Sequence, residues 1–430
     1  MRAKLIRWSA LAATLTLTVG VTAGCSTTSG GNTDAKKITV LTSNDPRIVT
    51  SVEATLGPEF TKRTGITVTV EQAGDPKWSG VDSRIQSDIT VGKRPDVAVV
   101  GTNSVRNYAD SKVAQPLDEL MTEAKFDTSQ YSASLLKAGQ LDGKTMGVPY
   151  VISMLVLYIN DDAFRKAGLD PEHPPQTFSE LRTAATKLVA TKAARNGVAF
   201  HYDADSNWSL QNMLFSAGGS MMDPADEHVT INQPPAVGIL QFWRDLVQAG
   251  VSTPMKSADM TEAFTRGDLG MMLQSSSQTT AVSKGVSFPI STHPVPVPDG
   301  GTRKSPPGGG SAVILAKDPQ VQKSAWTVVQ ELISANGQTV LVKGTGYTSA
   351  NQAAIASPEY LAGFLAQQPL RAAATKATET IVPWYQFPGA RGQEAQHKVR
   401  DAVLESLTGS KPVQQALDEA AQSVTGLVAR

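Results

Sequence analysis

Short segments rich in β-branched residues alternate with longer segments of helical apolar spacing between residues 37 and 100. In chain order they are a strand at 37–42, a helix at 49–63, a strand at 66–70, a helix at 78–90 and a strand at 96–100. A β-α-β-α-β order predicts a parallel sheet that is covered by helices. Ligands bind such sheets at the carboxyl ends of the strands, and here Asn44 and Asn103 follow two of those ends.

Beyond residue 150 the sequence predicts a second α/β body in which helices dominate. A strand is expected at 155–160, and Thr177 is expected to cap a helix as a capping box with Glu180 reaching back to it. Two amphipathic helices, at 393–408 and 412–428, are expected to finish the chain.

The segment Pro289–Gly310 is rich in proline and glycine, and we expect it to connect the two bodies. A strand at Ser311–Leu315 is then expected to return to the first body. The folded part of the chain has about 395 residues, which is enough for two domain-sized cores.

The first 24 residues have the layout of a bacterial lipoprotein signal peptide. A basic start is followed by the apolar stretch Trp8–Val21, whose length of about 14 residues is short of the about 20 that a membrane-spanning helix needs. Small residues precede Cys25, the single cysteine of the chain, so we expect cleavage before it and lipid attachment through its sulfur. Thr22 stands where such sites usually have Leu or Val, so a secretory signal cut near Ala23 stays open as the alternative.

Residues 25–36 are rich in Ser, Thr and Gly and are expected to form a flexible tether. The chain has 39 basic and 39 acidic residues, and removing Arg2, Lys4 and Arg7 with the signal peptide leaves 36 against 39, a net charge of −3. That balance gives no reason to expect nucleic acid or an anionic membrane as a partner. We therefore expect an exported protein that the lipid alone holds at the outer face of the cell membrane.

The sequence lacks the motifs of common catalytic, nucleotide and metal sites. It has no phosphate-binding P-loop, no H-E-x-x-H, no G-x-S-x-G and no G-x-G-x-x-G after a strand. The five histidines lack metal-ligand spacing, and beyond Cys25 there is no cysteine. We therefore expect no metal, no cofactor and no catalysis. A two-carboxylate hydrolase stays open, because such pairs leave no local signature.

Apart from Trp8 of the signal peptide, the tryptophans separate into two groups by their sequence context. Trp243 and Trp326 lie on apolar helical stripes and are expected in the core. Trp78, Trp208 and Trp384 lie in or beside polar turns, where a large apolar ring is least expected as core. Such rings suit the C–H faces of sugars, or a choline group through cation–π attraction. The alternative for each is a ring that folds back over its own domain.

Two further features suggest ligand contacts. The run Gly308–Gly310 lets a backbone N–H approach a ligand closely, and a flexible hinge is the alternative interpretation. Arg391 lies in a turn just before a helix, where a guanidinium favours an anion or a row of hydroxyls. An ordinary surface salt bridge is the alternative for Arg391.

Several local runs resemble the family 1 extracellular solute-binding proteins of ATP-driven importers, a family with maltose-type and glycerol-phosphate-type members. The runs are 155–160, 164–181, 264–272, 345–349 and 409–418, with Gly270 and Ser349 as departures from the usual Ala and Pro. The resemblance implies an α/β, two-lobed periplasmic-binding-protein fold that closes on a small molecule in the cleft between its lobes. It also implies delivery of that ligand to the permease subunits of an ABC importer, and we expect a monomer.

Within the family, the binders of glycerol phosphate and glycerophosphodiesters are the nearest branch. That resemblance implies ligand contacts at Trp78, Ser153, Ser275, Gly309, Gly310 and Tyr347, and phosphate binding by Arg391. The branch has an acidic residue after the third strand, where this chain has Val100–Asn103. The lost carboxylate leaves Asn103 as a neutral substitute. We therefore predict a sugar or a related polyol or glycoside, with glycerol 3-phosphate or a glycerophosphodiester as the alternative.

The predicted domain limits follow from these assignments. They are a signal peptide at 1–24, a tether at 25–36, a first lobe at 37–150 plus 310–345, and a second lobe at 151–309 plus 346–430. An exported carbohydrate-active enzyme and a scaffold lipoprotein that contacts only proteins are the interpretations from other functional classes.

Overall fold

The computed structural model of the protein describes residues 31–202, 207–389 and 391–428. The predicted signal peptide, Cys25 and the tether up to residue 30 lie outside the described residues, as do Asp203–Ser206 before Trp208. Within the described ranges, no helix combines the length and the apolar character that crossing a membrane requires.

The elements alternate along the first lobe, and helices dominate afterwards. The strands are β1 (Lys37–Thr42), β2 (Thr67–Gln72), β3 (Val97–Gly101), β4 (Gln140–Leu141), β5 (Lys144–Thr145), β6 (Val148–Ser153), β7 (Leu155–Asn160), β8 (Asn196–Phe200), β9 (Leu269–Ser275), β10 (Ile290–His293) and β11 (Gly308–Ile314). The helices up to the middle of the chain are α1 (Pro46–Thr55), α2 (Pro58–Thr64), α3 (Trp78–Thr90), α4 (Val105–Asp110), α5 (Asp118–Glu123), α6 (Ala133–Lys137), α7 (Asp161–Lys166), α8 (Phe178–Ala190) and α9 (Trp208–Ser216). The remaining helices are α10 (Pro234–Gln248), α11 (Ser257–Thr265), α12 (Thr279–Gly285), α13 (Pro319–Ile333), α14 (Ala335–Gly344), α15 (Gln352–Ala356), α16 (Ala362–Ala366), α17 (Ala372–Ala377), α18 (Gly392–Thr408) and α19 (Val413–Val428).

The first lobe is built on a five-stranded sheet of order β2-β1-β3-β11-β6. β1 pairs in parallel with β2 and β3, as the alternating order predicts. β11 returns to this sheet as expected, but it runs antiparallel to both β3 and β6, so the sheet is mixed. Apolar side chains on its two faces pack under helices such as α1, α3 and α13.

The second lobe is built on a four-stranded sheet of order β10-β7-β9-β8. One face packs against α8, α10, α18 and α19 around Trp243, and the other packs against α11 and α17 around Phe264. The proline- and glycine-rich segment that we expected to be a connection contributes strands at both ends. Its start forms β10 at the sheet edge, and Gly308–Gly310 begin β11.

The predicted helix at 49–63 is wrong as a single element, because the structure divides it into α1 and α2 at Leu56–Gly57. Pro58 has no N–H to donate, and its ring disfavours a helical residue before it. Gly57 therefore takes an extended conformation and caps α2, so the apolar spacing continues across a break in the backbone.

The chain passes between the two sheets at Met154, again within 294–307, and again after α14. The predicted lobe boundary at residue 150 falls within β6, which pairs with β11 as far as Ser153. After α14, Ala354 and Leu361 still pack against Val342 of the first lobe before the chain reaches α17. The exact lobe limits stay a prediction, while the two sheets place the carboxyl ends of β1, β3 and β9 toward one cleft.

Candidate ligand-binding cleft

A cleft of about 350 Å³ lies between the lobes and is lined by residues from both sheets and from the crossing segments. Its volume lies near the lower end of the range of about 300–1,000 Å³ that is usual for small-molecule sites. The lining residues are Pro76, Lys77, Trp78, Asn103, Ser153, His201, Trp208, Ser257, Gln274, Ser275, Ser277, Gln278, Gly308, Gly309, Tyr347 and Trp384. A smaller cavity of about 250 Å³ lies at the other end of β3, beside Asn32 and Asp96, and contains no predicted site residue.

Trp78 forms part of the first-lobe wall and rests against two glycines. A Cβ atom at Gly101 would lie 2.9 Å from the Cβ of Trp78, and one at Gly310 would lie 2.8 Å from its Cη2. The indole is half-buried, so part of the ring stays open to the cleft. Gly310 itself does not line the cleft, and in this structure it makes room for the Trp78 ring.

Trp208 and Trp384 form an aromatic wall on the second lobe. Their rings stack at 6.2 Å with an interplanar angle of 23°, and His201 stands edge-on to Trp208 at 6.5 Å. The two tryptophans are only 4% and 8% exposed, because they pack largely within their own lobe. The Trp208 Nε1–H donates to the carbonyl of Pro306 at 2.8 Å, which fixes the ring. The rings thus pack over their own lobe, as in the alternative interpretation, and they also line the cleft, so their contact with a ligand stays a prediction.

A polar run at the end of β9 supplies the other second-lobe groups. Ser275 Oγ and Ser277 Oγ lie 2.8 Å apart, and the Gln274 side chain donates to Ser257 Oγ at 2.9 Å. The Gln274 Oε1 also accepts from the backbone N–H of Ser275 at 2.7 Å. Of these, the sequence interpretation named only Ser275. Gln274 and Ser275 are the last two residues of the otherwise apolar strand β9, and Ser276–Gln278 follow it, so a rule that considers the carboxyl ends of strands identifies this run.

The floor of the cleft is formed where the chain crosses between the lobes, at Ser153, Gly309 and Tyr347. Gly309 has a φ of +108°, and a Cβ there would lie 1.8 Å from the carbonyl oxygen of Val151. Burial raises the pKa of Tyr347 to about 12, so its phenol stays neutral at ordinary pH. The Arg47 guanidinium lies 5.8 Å from the Tyr347 ring centroid.

Arg47 also ties the two lobes together at this end of the cleft. Its Nη1 donates to the carbonyl of Ser277 in the second lobe at 3.1 Å. Its Nη2 lies 2.6 Å from the carboxylate of Asp45, which also caps α1. The positive charge of Arg47 is thus paired with Asp45 of the same lobe, and Arg47 does not itself line the cleft.

Asn44 and Arg391 are predicted site residues that the structure does not bring into the lining. The backbone N–H of Asn44 donates to the carbonyl of Asp75 at 3.4 Å. Arg391 is exposed, and its Nε and Nη2 each lie 2.9 Å from the Glu394 carboxylate. That ion pair raises the pKa of Arg391. Arg391 thus forms the surface ion pair that its sequence context left as the alternative.

The lining is rich in neutral polar groups and poor in charge. Of the described residues that line the cleft, Lys77 is the single lysine or arginine, His201 is the single histidine, and none is a carboxylate. Among the described residues, metal-type ligand atoms converge outside the cleft at Asp223, Glu227 and His228. There, Asp223 Oδ1 already accepts the backbone N–H groups of the other two. The cleft can thus offer aromatic faces, hydroxyls and amides to a small molecule.

This chain belongs to the bacterial extracellular solute-binding proteins, whose family model matches residues 55–366. It is 29% identical over 356 residues to the sn-glycerol-3-phosphate-binding periplasmic protein UgpB of Escherichia coli, covering 79% of this chain and 81% of that protein. Among solved structures, UgpB from Mycobacterium tuberculosis in complex with glycerophosphocholine is similar with a TM-score of 0.80 at 21% identity, covering 90% of this chain and 97% of that one. The cyclic α-maltosyl-1,6-maltose binding protein from Arthrobacter globiformis is similar with a TM-score of 0.79 at 21% identity, covering 91% and 98%. These likenesses show the shared two-lobed fold.

Proposed function

We propose that this protein captures a sugar, or a related polyol or glycoside, in the interlobe cleft and delivers it to the permease of an ABC importer. The observation that carries the proposal is the lining of the cleft, which combines three tryptophans with neutral amides and hydroxyls. Indole faces pack well on the C–H faces of a sugar ring. Asn103, Gln274 and the serines offer amide and hydroxyl groups to the hydroxyls of a ligand. Specificity would follow because a ligand polar group that is buried without a partner costs about 1–3 kcal/mol.

The proposed ligand contacts are those predicted residues that meet in the cleft. They are Trp78, Asn103, Ser153, Trp208, Ser275, Gly309, Tyr347 and Trp384, to which the structure adds Gln274, Ser277 and Gln278. Asn44, Gly310 and Arg391 are not proposed as direct contacts, since they lie outside the lining.

A glycerophosphodiester such as glycerophosphocholine is the second candidate. The sequence relationship to UgpB and the glycerophosphocholine complex of the similar Mycobacterium tuberculosis protein favour it. A choline group would find aromatic faces at the tryptophans. Against it stands the composition of the lining, because Lys77 is the single lysine or arginine that the described lining residues would offer to a phosphate.

We also propose that the protein is exported and held at the outer face of the cell membrane through lipid on Cys25. It would act as a monomer, with no cofactor and no bond chemistry. The layout of the first 25 residues supports the anchor. Labelling with a radioactive fatty acid tests it, since Cys25→Ser should abolish incorporation, and label retained in that variant would contradict lipid attachment at this residue.

The test of the ligand is isothermal titration calorimetry with single compounds. The panel would hold maltose, trehalose, glucosamine, glycerol, glycerol 3-phosphate and glycerophosphocholine. We expect a neutral carbohydrate to bind and to be recovered intact. Binding by glycerophosphocholine alone would overturn the sugar assignment, and release of hydrolysed sugar would favour an exported carbohydrate-active enzyme.

Two substitutions of Trp78 test whether a ligand that binds the protein does so in the cleft. Trp78→Ala removes the exposed indole face and should weaken affinity about tenfold, which corresponds to the upper range of an aromatic stacking contact. Trp78→Phe retains a ring and should lose less. Equal affinities in the reference protein and Trp78→Ala would place the ligand elsewhere.

A further inference from the structure

Four residues join the two lobes across the cleft, beside the cleft residues Asn103 and Trp384. We call Arg106, Asp226, Tyr385 and Gln386 the interlobe latch. Arg106 belongs to α4 of the first lobe, while Asp226, Tyr385 and Gln386 belong to loops of the second lobe. Asn103 lies three residues before Arg106, and Trp384 lies two residues before Gln386.

The Gln386 side chain holds both ends of the turn that carries Asn103. Its Nε2 donates to the carbonyl of Thr102 at 2.9 Å, and its Oε1 accepts from the backbone N–H of Arg106 at 2.8 Å. Both partners are backbone groups. Gln386 therefore fixes the backbone path of the turn, and not merely the conformation of a single side chain. The position of Asn103 in the cleft thus depends on a residue of the opposite lobe.

The Arg106 side chain forms the ionic part of the latch. Its Nη1 lies 2.8 Å from Asp226 Oδ2 and 3.3 Å from the carbonyl of Gln386. The other Asp226 oxygen accepts from the Tyr385 hydroxyl at 2.7 Å. Burial and the hydrogen bond to Asp226 raise the pKa of Tyr385, which keeps the phenol a donor.

Partial burial makes this ion pair stronger than an ordinary surface pair. The side chains of Arg106 and Asp226 are 14% and 21% exposed, whereas the pair Arg266–Glu262, which lies within the second lobe, is 54% and 68% exposed. Water and salt screen an exposed pair and leave it worth little, while a partly buried pair is screened less, so that removing one of its partners is costly.

The latch can open without moving the peptide connections between the lobes. Its residues lie outside the segments through which the chain crosses, at Met154, 294–307 and after α14. Neighbouring contacts follow the same seam, since Gly389 N–H donates to Asp110 at 3.0 Å and Gln393 donates to Asp82 at 2.9 Å. Separation of the lobes would break these contacts together.

We propose that the interlobe latch holds the lobes closed and positions Asn103 opposite Trp384, so that its strength sets how long a bound molecule stays in the cleft. A protein with open and closed states responds to any contact present in only one of them. Weakening the latch should lower the ratio of closed to open molecules roughly five- to tenfold, the scale of an ordinary coupling between sites. Its effect on ligand residence rests on the proposed function, but its effect on closure does not.

The test measures the separation of the lobes without ligand. The chain has a single native cysteine, so Cys25→Ser allows selective spin labelling of Ser87→Cys on α3 and Lys398→Cys on α18, both of which are exposed. Double electron–electron resonance then gives the distance distribution between the labels. Arg106→Ala and Gln386→Ala should each enlarge a longer-distance population, and Arg266→Ala, which loses only ion pairs within the second lobe, should not.

A second substitution of Gln386 and a measurement of ligand release complete the test. Gln386→Glu keeps the size of the side chain but loses the N–H donor to Thr102, so it tests the latch if Arg106→Ala fails to fold. Unchanged distances in folded Gln386→Ala and Gln386→Glu would overturn the proposal. With maltose or glycerophosphocholine as probe, the latch variants should release it roughly five- to tenfold faster. Failure of every probe to bind would count against the proposed function, while the label distances would still decide the latch.

Discussion

Gly309→Ala is expected to destabilise the floor of the cleft more than any ordinary surface change. The φ of +108° at this residue is one that alanine rarely adopts. The added Cβ would lie 1.8 Å from the carbonyl oxygen of Val151 and 2.8 Å from its carbonyl carbon. Both are backbone atoms of β6, so no side-chain rotation relieves the overlap, and β11 and β6 must separate locally.

The size of the effect follows from two contributions. Holding a non-glycine residue in a sparsely populated backbone region costs about 1–3 kcal/mol. Separating the strands near the pairs Gly309–Ile152 and Gly308–Ser153 loses one or two hydrogen bonds, at about 0.5–1.5 kcal/mol each. We therefore expect the free energy of unfolding to fall by about 1.5–6 kcal/mol.

Urea denaturation followed by far-ultraviolet circular dichroism measures this loss, and Gly300→Ala is the matched control. Gly300 has a similar φ of +77°, but a Cβ there meets nothing within 4 Å. Gly300→Ala therefore has the cost of a positive φ but no overlap of the added Cβ with a neighbouring strand. The free energy of unfolding should fall by at least about 1 kcal/mol more in Gly309→Ala than in this control. Equal losses in the two variants would refute the argument that contact with β6 requires glycine at this position.

Three further predictions concern the aromatic wall of the cleft, the N-terminal cap of α8 and the buried phenol of Tyr347. Trp208→Phe leaves the buried carbonyl of Pro306 without its donor and should cost about 1–3 kcal/mol in thermal unfolding, so an equally stable variant would contradict the role of the indole N–H. Thr177→Ala removes the side-chain cap of α8 and should cost about 1 kcal/mol in urea, whereas Thr183→Ala on the same helix should stay within about 0.5 kcal/mol, and equal losses would argue against the cap. The pKa of Tyr347 is raised to about 12, above its unfolded value of about 10, so its contribution to stability is complete below pH 10 and declines as the pH rises toward 12. When the pH is raised from 9 to 11, the free energy of unfolding from urea titrations should therefore fall less in Tyr347→Phe than in the parent protein. The same dependence of unfolding free energy on pH in both proteins would contradict the burial of this phenol.

The strands of the first sheet were predictable because each is marked by its own short run of β-branched residues, which needs no contact distant in sequence to be recognised. The segments predicted at 37–42 and 96–100 match β1 and β3 to within a residue, and the final helices are likewise correct to within a residue. The single helix at 49–63 was wrong because apolar spacing was given more weight than Pro58. The capping box was right about Thr177, although Glu180 accepts the N–H of Gln176, one residue before the cap.

The cleft was predictable in part, and the rest depended on contacts distant in sequence. Asn103 could be identified because it follows a strand, and extending that rule to the polar end of β9 would have identified Gln274. The depth of Trp208 could not be read from its polar surroundings, because it depends on the distant Pro306 and on stacking with Trp384. The latch pair Arg106–Asp226 is separated by 120 residues and leaves no local signal at all.

The placement of the tryptophans has a practical consequence for observing this protein. Trp78, Trp208 and Trp384 line the cleft, while Trp243 and Trp326 are 0% and 2% exposed in the two cores. A molecule entering the cleft would displace water chiefly from the half-buried Trp78 and change the surroundings of the cleft edges of Trp208 and Trp384, while Trp243 and Trp326 stay as they are. The native protein therefore contains both an optical indicator of occupancy and its own constant background, so that the intrinsic emission of the unlabelled chain can follow filling of the cleft in real time.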